Sequence, residues 1–566
     1  MREGLALFDR ERPGETPRRV VVVVRKWPGR VAKIVATHFP ASEIRLLAPR
    51  RLDRSAQQRV PSQVLVDVAG SNDDMLARIV ERPSPRLIID TRSGAAFDGV
   101  KRFRELTFAL ADGGSYLAIH GGAAQHDDSV AAEVTRLTSL SGNARTPQEW
   151  LDRRLQESIS AMSRAGAAVL VNKTGSHHFN LGEKMATPLL TERYGTSWGR
   201  ELMVRPAETL RSSITVTVNE NALEKRFPKE LHVPPLYLRE YVDVLCAPRQ
   251  LVVSGAFVVP ASFHHPSMTR PRNHTLTSSG KRFATIDFDV NDAQPLPGTY
   301  FHLDSEYPHL FGHMFTEDIA RLWGWDIAKG QHPQLQLLLS AHEDTPGRPP
   351  RFKVEALGAY GIDESDIVCI DRPVRVERLV TASQQFHNGK VIYASERLSE
   401  TWDRLRDGLR TDSGPRFDKF FVARRGFKRS CRNADRVEAT FVEHGFEIVQ
   451  PETLALGEQA ELFATASVIG GYAGSGMINM IHCERPGTRI VIASESYQAR
   501  DLFVISAVKG DDYHHFSCPT RHPDQPDPAA RPSHPSRPRS RQGLYYDYEF
   551  DFQRDGDALQ TLLSST

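Results

Sequence analysis

The sequence predicts an α/β protein built from three Rossmann-like units, and three observations support this. Short apolar, β-branched runs alternate with helical patterns over the first third of the chain. The alternation returns twice after about Gly298. An apolar run at Ser467–Gly471 stops at "GGYAGSG", a cluster of glycines where a strand hands over to a helix. Strands alternating with helices give parallel, doubly wound sheets, because each crossover helix covers a sheet face. A chain of 566 residues is too long for one core, so two to four domains are expected.

The first unit spans residues 18–200. Its buried strands are "RVVVVVRK" (Arg19–Lys26), "IRLLA" (Ile44–Ala48), "QVLVDV" (Gln63–Val68), "RLIIDT" (Arg86–Thr91), "SYLAIH" (Ser115–His120) and "AAVLVNK" (Ala167–Lys173). "SHHFNLGE" (Ser176–Glu183) is expected to be a loop. Residues 205–297 read as a β-rich connecting region. The second unit, 298–412, carries "GTYFHL", a helix over Pro308–Trp325, "LQLLLS", "DIVCI" and "ERLVTAS". "LRTDSGPRFD" is a plausible hinge to the third unit, 413–566, with "KFFVARR", "FEIVQPE", "SVIGG" and "TRIVIAS" as strands. Two Rossmann-like halves joined in this way suggest a cleft between them. Residues 518–543, rich in Pro, Arg and His, have almost nothing to bury and are expected to be a disordered insertion. "LYYDYEFDFQRDGDALQTLLSS" then reads as a strand and a terminal helix.

With 72 basic and 70 acidic residues the formal net charge is +2, which makes no general case for nucleic acid or an anionic membrane as partner. The five cysteines are scattered without a CxxC pattern, as free thiols in a reducing compartment would be. The charged N-terminus lacks a signal-peptide core, and no apolar stretch is long enough to span a membrane. A cytoplasmic location is the expectation.

Gly471, Gly474 and Gly476 remove side chains that would keep a ligand off the backbone. Ser475 is placed to cap the following helix, whose free N–H groups suit a phosphate. Arg424 and Arg425 end a neighbouring strand, followed by Lys428, Arg429 and Arg432, and guanidinium groups pair bidentately with phosphate oxygens. The alternatives are glycines that only permit a tight turn and a solvated basic surface. His309, His313 and Glu317 fall at i, i+4 and i+8 of the Pro308–Trp325 helix. A Zn²⁺ site on this stripe lacks an HExxH pattern and a further ligand, and a structural histidine is the reading for His309.

The run from "FFVARR" through "RNADRVEATFVEHGFEIVQPETLALGEQAELFATASVIGGYAGSGMINMIHCERPGTRIVI" resembles glycosyltransferase family 61. "FGHMFTEDIARLW" is similar to a helix upstream of that pattern, and "YYDYEFD…ALQTLL" to tail segments of bacterial members. The resemblance covers about Leu251 to the C-terminus. It implies a GT-B-like fold, a nucleotide-sugar donor and inverting, metal-independent transfer to a glycan or glycolipid acceptor in surface polysaccharide synthesis, with no cofactor beyond the co-substrate. By matching position it implies a donor site at Arg424, Arg432, Asn433, Glu458, Gln459, Gly474, Ser475, Gly476 and Asn479. It also supports His313 as the base, oriented by Glu317. Ala473 stands where many members carry His. The alternative function is a non-catalytic sugar-nucleotide or glycan-binding scaffold.

The first unit is similar to S-adenosylmethionine-dependent methyltransferases in its strand pattern. Its first strand is followed by "KWPGR" and lacks the Gly-rich loop that such a cofactor needs. Asp67 and Asp90, at strand ends, are candidates for a ribose contact. A degenerate methyltransferase-like domain is the expectation.

Overall fold

The computed structural model describes the chain outside residues 25–26, 92–95, 120–129, 213–215, 219–226, 269, 280–281, 342–346, 390, 426–428, 498 and 521–545. The predicted insertion therefore lies outside the described residues beyond Thr520. Among the described residues no helix is long and apolar enough to cross a membrane.

The first sheet has seven strands. In spatial order they are Val64–Val68, Glu43–Ala48, Arg19–Val23, Leu87–Asp90, Ser115–Ile119, Ala168–Lys173 and Ile159–Ala165. The first five are parallel, and the continuous Val, Ile and Leu runs of the inner strands reflect burial on both faces, while the edge strand Val64–Val68 leaves Leu65 and Val68 exposed. Ala168–Lys173 runs antiparallel to both of its neighbours, so the sheet is mixed. Neither acidic strand end faces a ligand freely. Asp67 pairs with Arg45. Asp90 is buried and accepts from Arg102 Nε at 3.0 Å and the Tyr116 hydroxyl at 2.8 Å. Trp27 takes a left-handed conformation (φ 51°) and is 71% exposed.

The β-rich region 205–297 is not separate from the unit that follows it. Four parallel strands, Val374–Ala382, Gln294–His302, Gln336–Ser340 and Ile367–Ile370, form one side of an eleven-stranded sheet. Leu236–Ala247 pairs antiparallel with Val374–Ala382 and extends the same sheet through Leu251–Ser254 and Phe257–Val258. His178–Asn180, within the predicted loop, inserts between Phe257–Val258 and Phe283–Ile286. Val216–Val218 crosses to the edge of the C-terminal sheet.

The C-terminal sheet is wholly parallel. Its order is Val216–Val218, Asp512–Cys518, Thr488–Ser494, Val468–Tyr472, Lys419–Val422 and Glu447–Val449. Chain order reverses between Lys419–Val422 and Val468–Tyr472. The intervening helices cover opposite faces: Val437 and Phe441 pack with Phe421 on one, Leu462 and Phe463 with Phe420 and Val422 on the other. The second face also buries Phe301, Leu337 and Trp402, so one continuous core joins this sheet to the central one. The expected strand after Leu544 is reduced to Tyr548, which bridges Cys431 and Thr520 ahead of the helix Phe552–Ser565.

Candidate functional site

In open α/β sheets a crevice forms at the carboxyl ends of strands where strand order reverses, because the flanking helices diverge there. The chain places two features at this point. Arg424 follows Lys419–Val422, and the glycine turn follows Val468–Tyr472. Between them opens a cleft of about 370 Å³. Arg424, Gln459, Gly474, Ser475, Gly476 and Asn479 line it, together with Phe311, Pro451, Glu452 and Tyr472.

Close packing explains the glycines. A Cβ on Gly471 would stand 2.5 Å from Met477 Sδ and 2.8 Å from Val422 Cβ, and one on Gly474 would stand 3.0 Å from Arg424 Nη1. The helix that follows is a 3₁₀ helix, Ser475–His482, with Gly474 at its cap position. Ser475 is therefore the first helical residue and makes no capping bond, so its exposed hydroxyl is left to the cleft. Asn479 is buried. Its Nδ2 donates to Gln459 Oε1 at 2.8 Å and to the Gly476 carbonyl at 3.1 Å, which fixes the turn against the helix Leu456–Thr465.

The two arginines divide. Arg424 Nη1 donates to the Ala473 carbonyl at 3.2 Å, holding the guanidinium over the turn. Burial, then the like charge of Arg429, lowers its pKa from the ordinary value. Arg425 also lines the cleft, but its guanidinium is matched by Glu438, which it meets through two bonds of 2.6 and 2.5 Å. Arg429 lies 4.6 Å over the Tyr497 ring. Arg432, Asn433 and Glu458 do not line the cleft. Arg432 is exposed, and its backbone N–H bonds the Tyr548 carbonyl. Asn433 clasps Phe550 through both its side-chain amide groups, at 2.8 and 3.0 Å. Glu458 accepts from the Ala455 N–H at 2.8 Å and caps its own helix.

The expected Pro308–Trp325 helix is irregular. It runs as Phe311–His313, a π turn at Met314–Asp318, a 3₁₀ segment at Ile319–Gly324 and the α-helix Trp325–Gln331. His309 sits in the turn ahead of it, off the predicted stripe. The wide turn sends neighbouring carboxylates to different partners. Asp318 meets Lys353 Nζ at 2.8 Å, and Glu317 Oε2 lies 2.9 Å from His313 Nδ1. This helix packs directly on the glycine turn: a Cβ on Gly312 would stand 2.8 Å from Ile478 Cδ1 and 3.9 Å from Ser475 Cβ. Tyr307 stacks on His313 at 4.8 Å. Burial disfavours charge on His313, but Glu317, Asp318 and Asp501 outweigh it and raise its pKa. Burial raises the Glu317 carboxyl despite His313.

Sequence reasoning missed His264, His265, Tyr497 and Asp501. His264 Nδ1 lies 3.3 Å from Glu317 Oε2, and the His265 ring is 4.0 Å from that of His264. The adjacent histidines in "SFHHP" were the available signal, but nothing local ties them to a helix fifty residues later.

The switch-point cleft brings together a glycine turn, an arginine and, on the facing helix, a histidine–carboxylate pair, groups whose chemistry suits a phosphorylated ligand. Residues 311–491 match the family model "Glycosyltransferase 61". That match covers about a third of the chain and supports a glycosyltransferase. No curated protein matches the chain. Among solved structures it is similar to the MycE methyltransferase of the mycinamycin biosynthetic pathway, at 19% identity over 30% of this chain and 45% of that one, with TM-score 0.23. Human N-acetylserotonin methyltransferase aligns at 18% identity over 31% of this chain and 51% of its own, with TM-score 0.21. A Geobacter sulfurreducens methyltransferase aligns at 17% identity over 31% and 79%, with TM-score 0.19. The chain thus spans about half the length of the first of these methyltransferases.

Proposed function

We propose that this glycosyltransferase moves a sugar, with inversion, from a nucleotide-sugar to a glycan or glycolipid acceptor in surface polysaccharide synthesis. The observation that carries the proposal is the packing of the His313 helix onto the glycine turn at the switch point. The central and C-terminal sheets act as the two halves of a GT-B-like enzyme, and the cytoplasm supplies the donor. Arg424 and the N–H groups at the start of Ser475–His482 receive the diphosphate. Charge builds there as the bond between the anomeric carbon and the leaving phosphate oxygen breaks, and preorganised donors stabilise it without a metal ion at the phosphates. The acceptor oxygen bonds the opposite face of the anomeric carbon. His313 has Nδ1 turned to Glu317, so Nε2 is the atom that takes the acceptor's proton. Glu317 is a positioning residue.

The first test is a thermal-shift screen of nucleoside diphosphates and their sugars, since a ligand that binds only the native state raises its stability. A sugar nucleotide that stabilises the chain and is then consumed with an oligosaccharide acceptor supports the proposal. Stabilisation without turnover supports the scaffold reading.

A further inference from the structure

We infer that His264, His265 and Glu317 form a binding site for a divalent transition-metal cation of the Zn²⁺ type. The inference goes beyond the sugar-transfer reading and does not depend on it. One ring nitrogen each of His264 and His265 and a carboxylate oxygen of Glu317 lie within 4.8 Å of one another. All three residues bury their donor atoms; the two imidazole Nδ1 atoms take no directed hydrogen bond, while Glu317 Oε2 also meets His313 Nδ1 at 2.9 Å. Leaving a buried polar atom unsatisfied is costly, so two such imidazole nitrogens beside a buried carboxylate call for a shared partner.

The donors specify what that partner is. Donors held about 2.0–2.1 Å from a tetrahedral Zn²⁺ stand about 3.3–3.4 Å apart. His264 Nδ1 and Glu317 Oε2 are 3.3 Å apart. Two imidazoles and one carboxylate suit Zn²⁺ and its first-row neighbours, whereas Mg²⁺ and Ca²⁺ call for oxygen ligands.

The supports around the site are firm. The turn Pro260–Ser262 precedes the histidines, and the Ser262 hydroxyl is bonded to both the N–H and the carbonyl of Val252 at 2.8 Å. The His265 ring rests against that of His387 at 4.5 Å, and His387 Nε2 is 3.1 Å from the Ser267 hydroxyl. None of the three ligands lines the 370 Å³ cleft, so this cation is distinct from one held by a donor diphosphate. It ties the segment after Phe257–Val258 to the irregular helix, and it fixes the carboxylate that also meets His313. Three protein ligands leave a tetrahedral ion one open position.

The test uses the full chain. Metal content is measured by mass spectrometry after dialysis. Melting temperature is then recorded after chelation and after adding Zn²⁺, Mn²⁺ or Mg²⁺. Retention of one transition-metal ion per chain, with melting lowered by chelator and restored by Zn²⁺ but not Mg²⁺, is expected. His264→Ala and His265→Ala should each lose the ion and keep the nucleotide-induced thermal shift. His232→Ala, at an exposed position, should keep the ion. A folded chain that retains no transition metal and shows no shift with Zn²⁺ or Mn²⁺ overturns the inference. So does metal retention in the double His264→Ala, His265→Ala variant.

Discussion

Replacing Arg424 by alanine removes the guanidinium poised over the glycine turn and little else. The side chain is half-buried, and its one described bond goes to the Ala473 carbonyl, which can turn to water. The fold should therefore survive. A hydrogen bond to a charged group contributes about 1.5–3 kcal/mol, so the diphosphate should bind roughly 10–150-fold more weakly. At a ligand concentration of about 100 Kd the native protein gains about 2.7 kcal/mol of stability, and a roughly 100-fold loss of affinity leaves about 0.4 kcal/mol. Isothermal calorimetry with the best nucleoside diphosphate measures the first figure, and the shift in chemical denaturation measures the second. Gly474→Val tests the same contact from the other side. Its φ of 166° is extended backbone open to any residue, but its Cβ starts 3.0 Å from Arg424 Nη1, so the variant should bind weakly for want of space. Arg425→Ala is the control. Its charge is already matched by Glu438, so affinity should change by less than about threefold, as for a solvated ion pair. Unchanged affinity in both Arg424→Ala and Gly474→Val, or an Arg425→Ala loss as large as that of Arg424→Ala, would refute this account of the cleft.

Other consequences can be checked separately. His313→Ala should bind the donor normally and turn over roughly 10²–10⁴-fold more slowly in a radiolabelled-sugar assay, and a near-normal rate removes it as the base. Lys353→Met strands Asp318, whose side chain is fully buried, and should cost about 3–5 kcal/mol in urea denaturation; a loss below about 1 kcal/mol would mean that the site hydrates. Titration of the full chain with S-adenosylmethionine should give no heat. Pro28 opens the helix after Arg19–Val23 and supplies no N–H to a cofactor there. Micromolar binding would make the first sheet a working methyltransferase-like domain.

Parts of the fold were legible because their signals are local. "RVVVV", "LIID" and "TRIVIAS" are too apolar and too short to be anything but strands buried on both faces. The glycine turn was legible for a similar reason, since backbone freedom beside a strand end is written in consecutive residues. The central sheet was harder. Leu236–Ala247 pairs with Val374–Ala382, far away in sequence, and nothing within either strand names its partner. His178–Asn180 is only three residues long and is a strand only because two neighbours flank it. The predicted single helix around His313 failed because periodicity assumes regular turns, whereas burying Glu317 and Asp318 toward different partners widens one.

The sequence by itself determined the α/β class, the strand-to-helix glycine turn and the arginine beside it. Each of these is decided by the steric and solvation preferences of neighbouring residues. Only the tertiary structure decided which charges remain for a ligand. Arg425 is cancelled by Glu438 across a loop, and Asn433 is taken by Phe550, 117 residues on. His264, His265 and Glu317 meet from separate segments. Polar groups removed from water must find partners wherever the folded chain brings them, and that choice depends on long-range packing rather than on any run of residues.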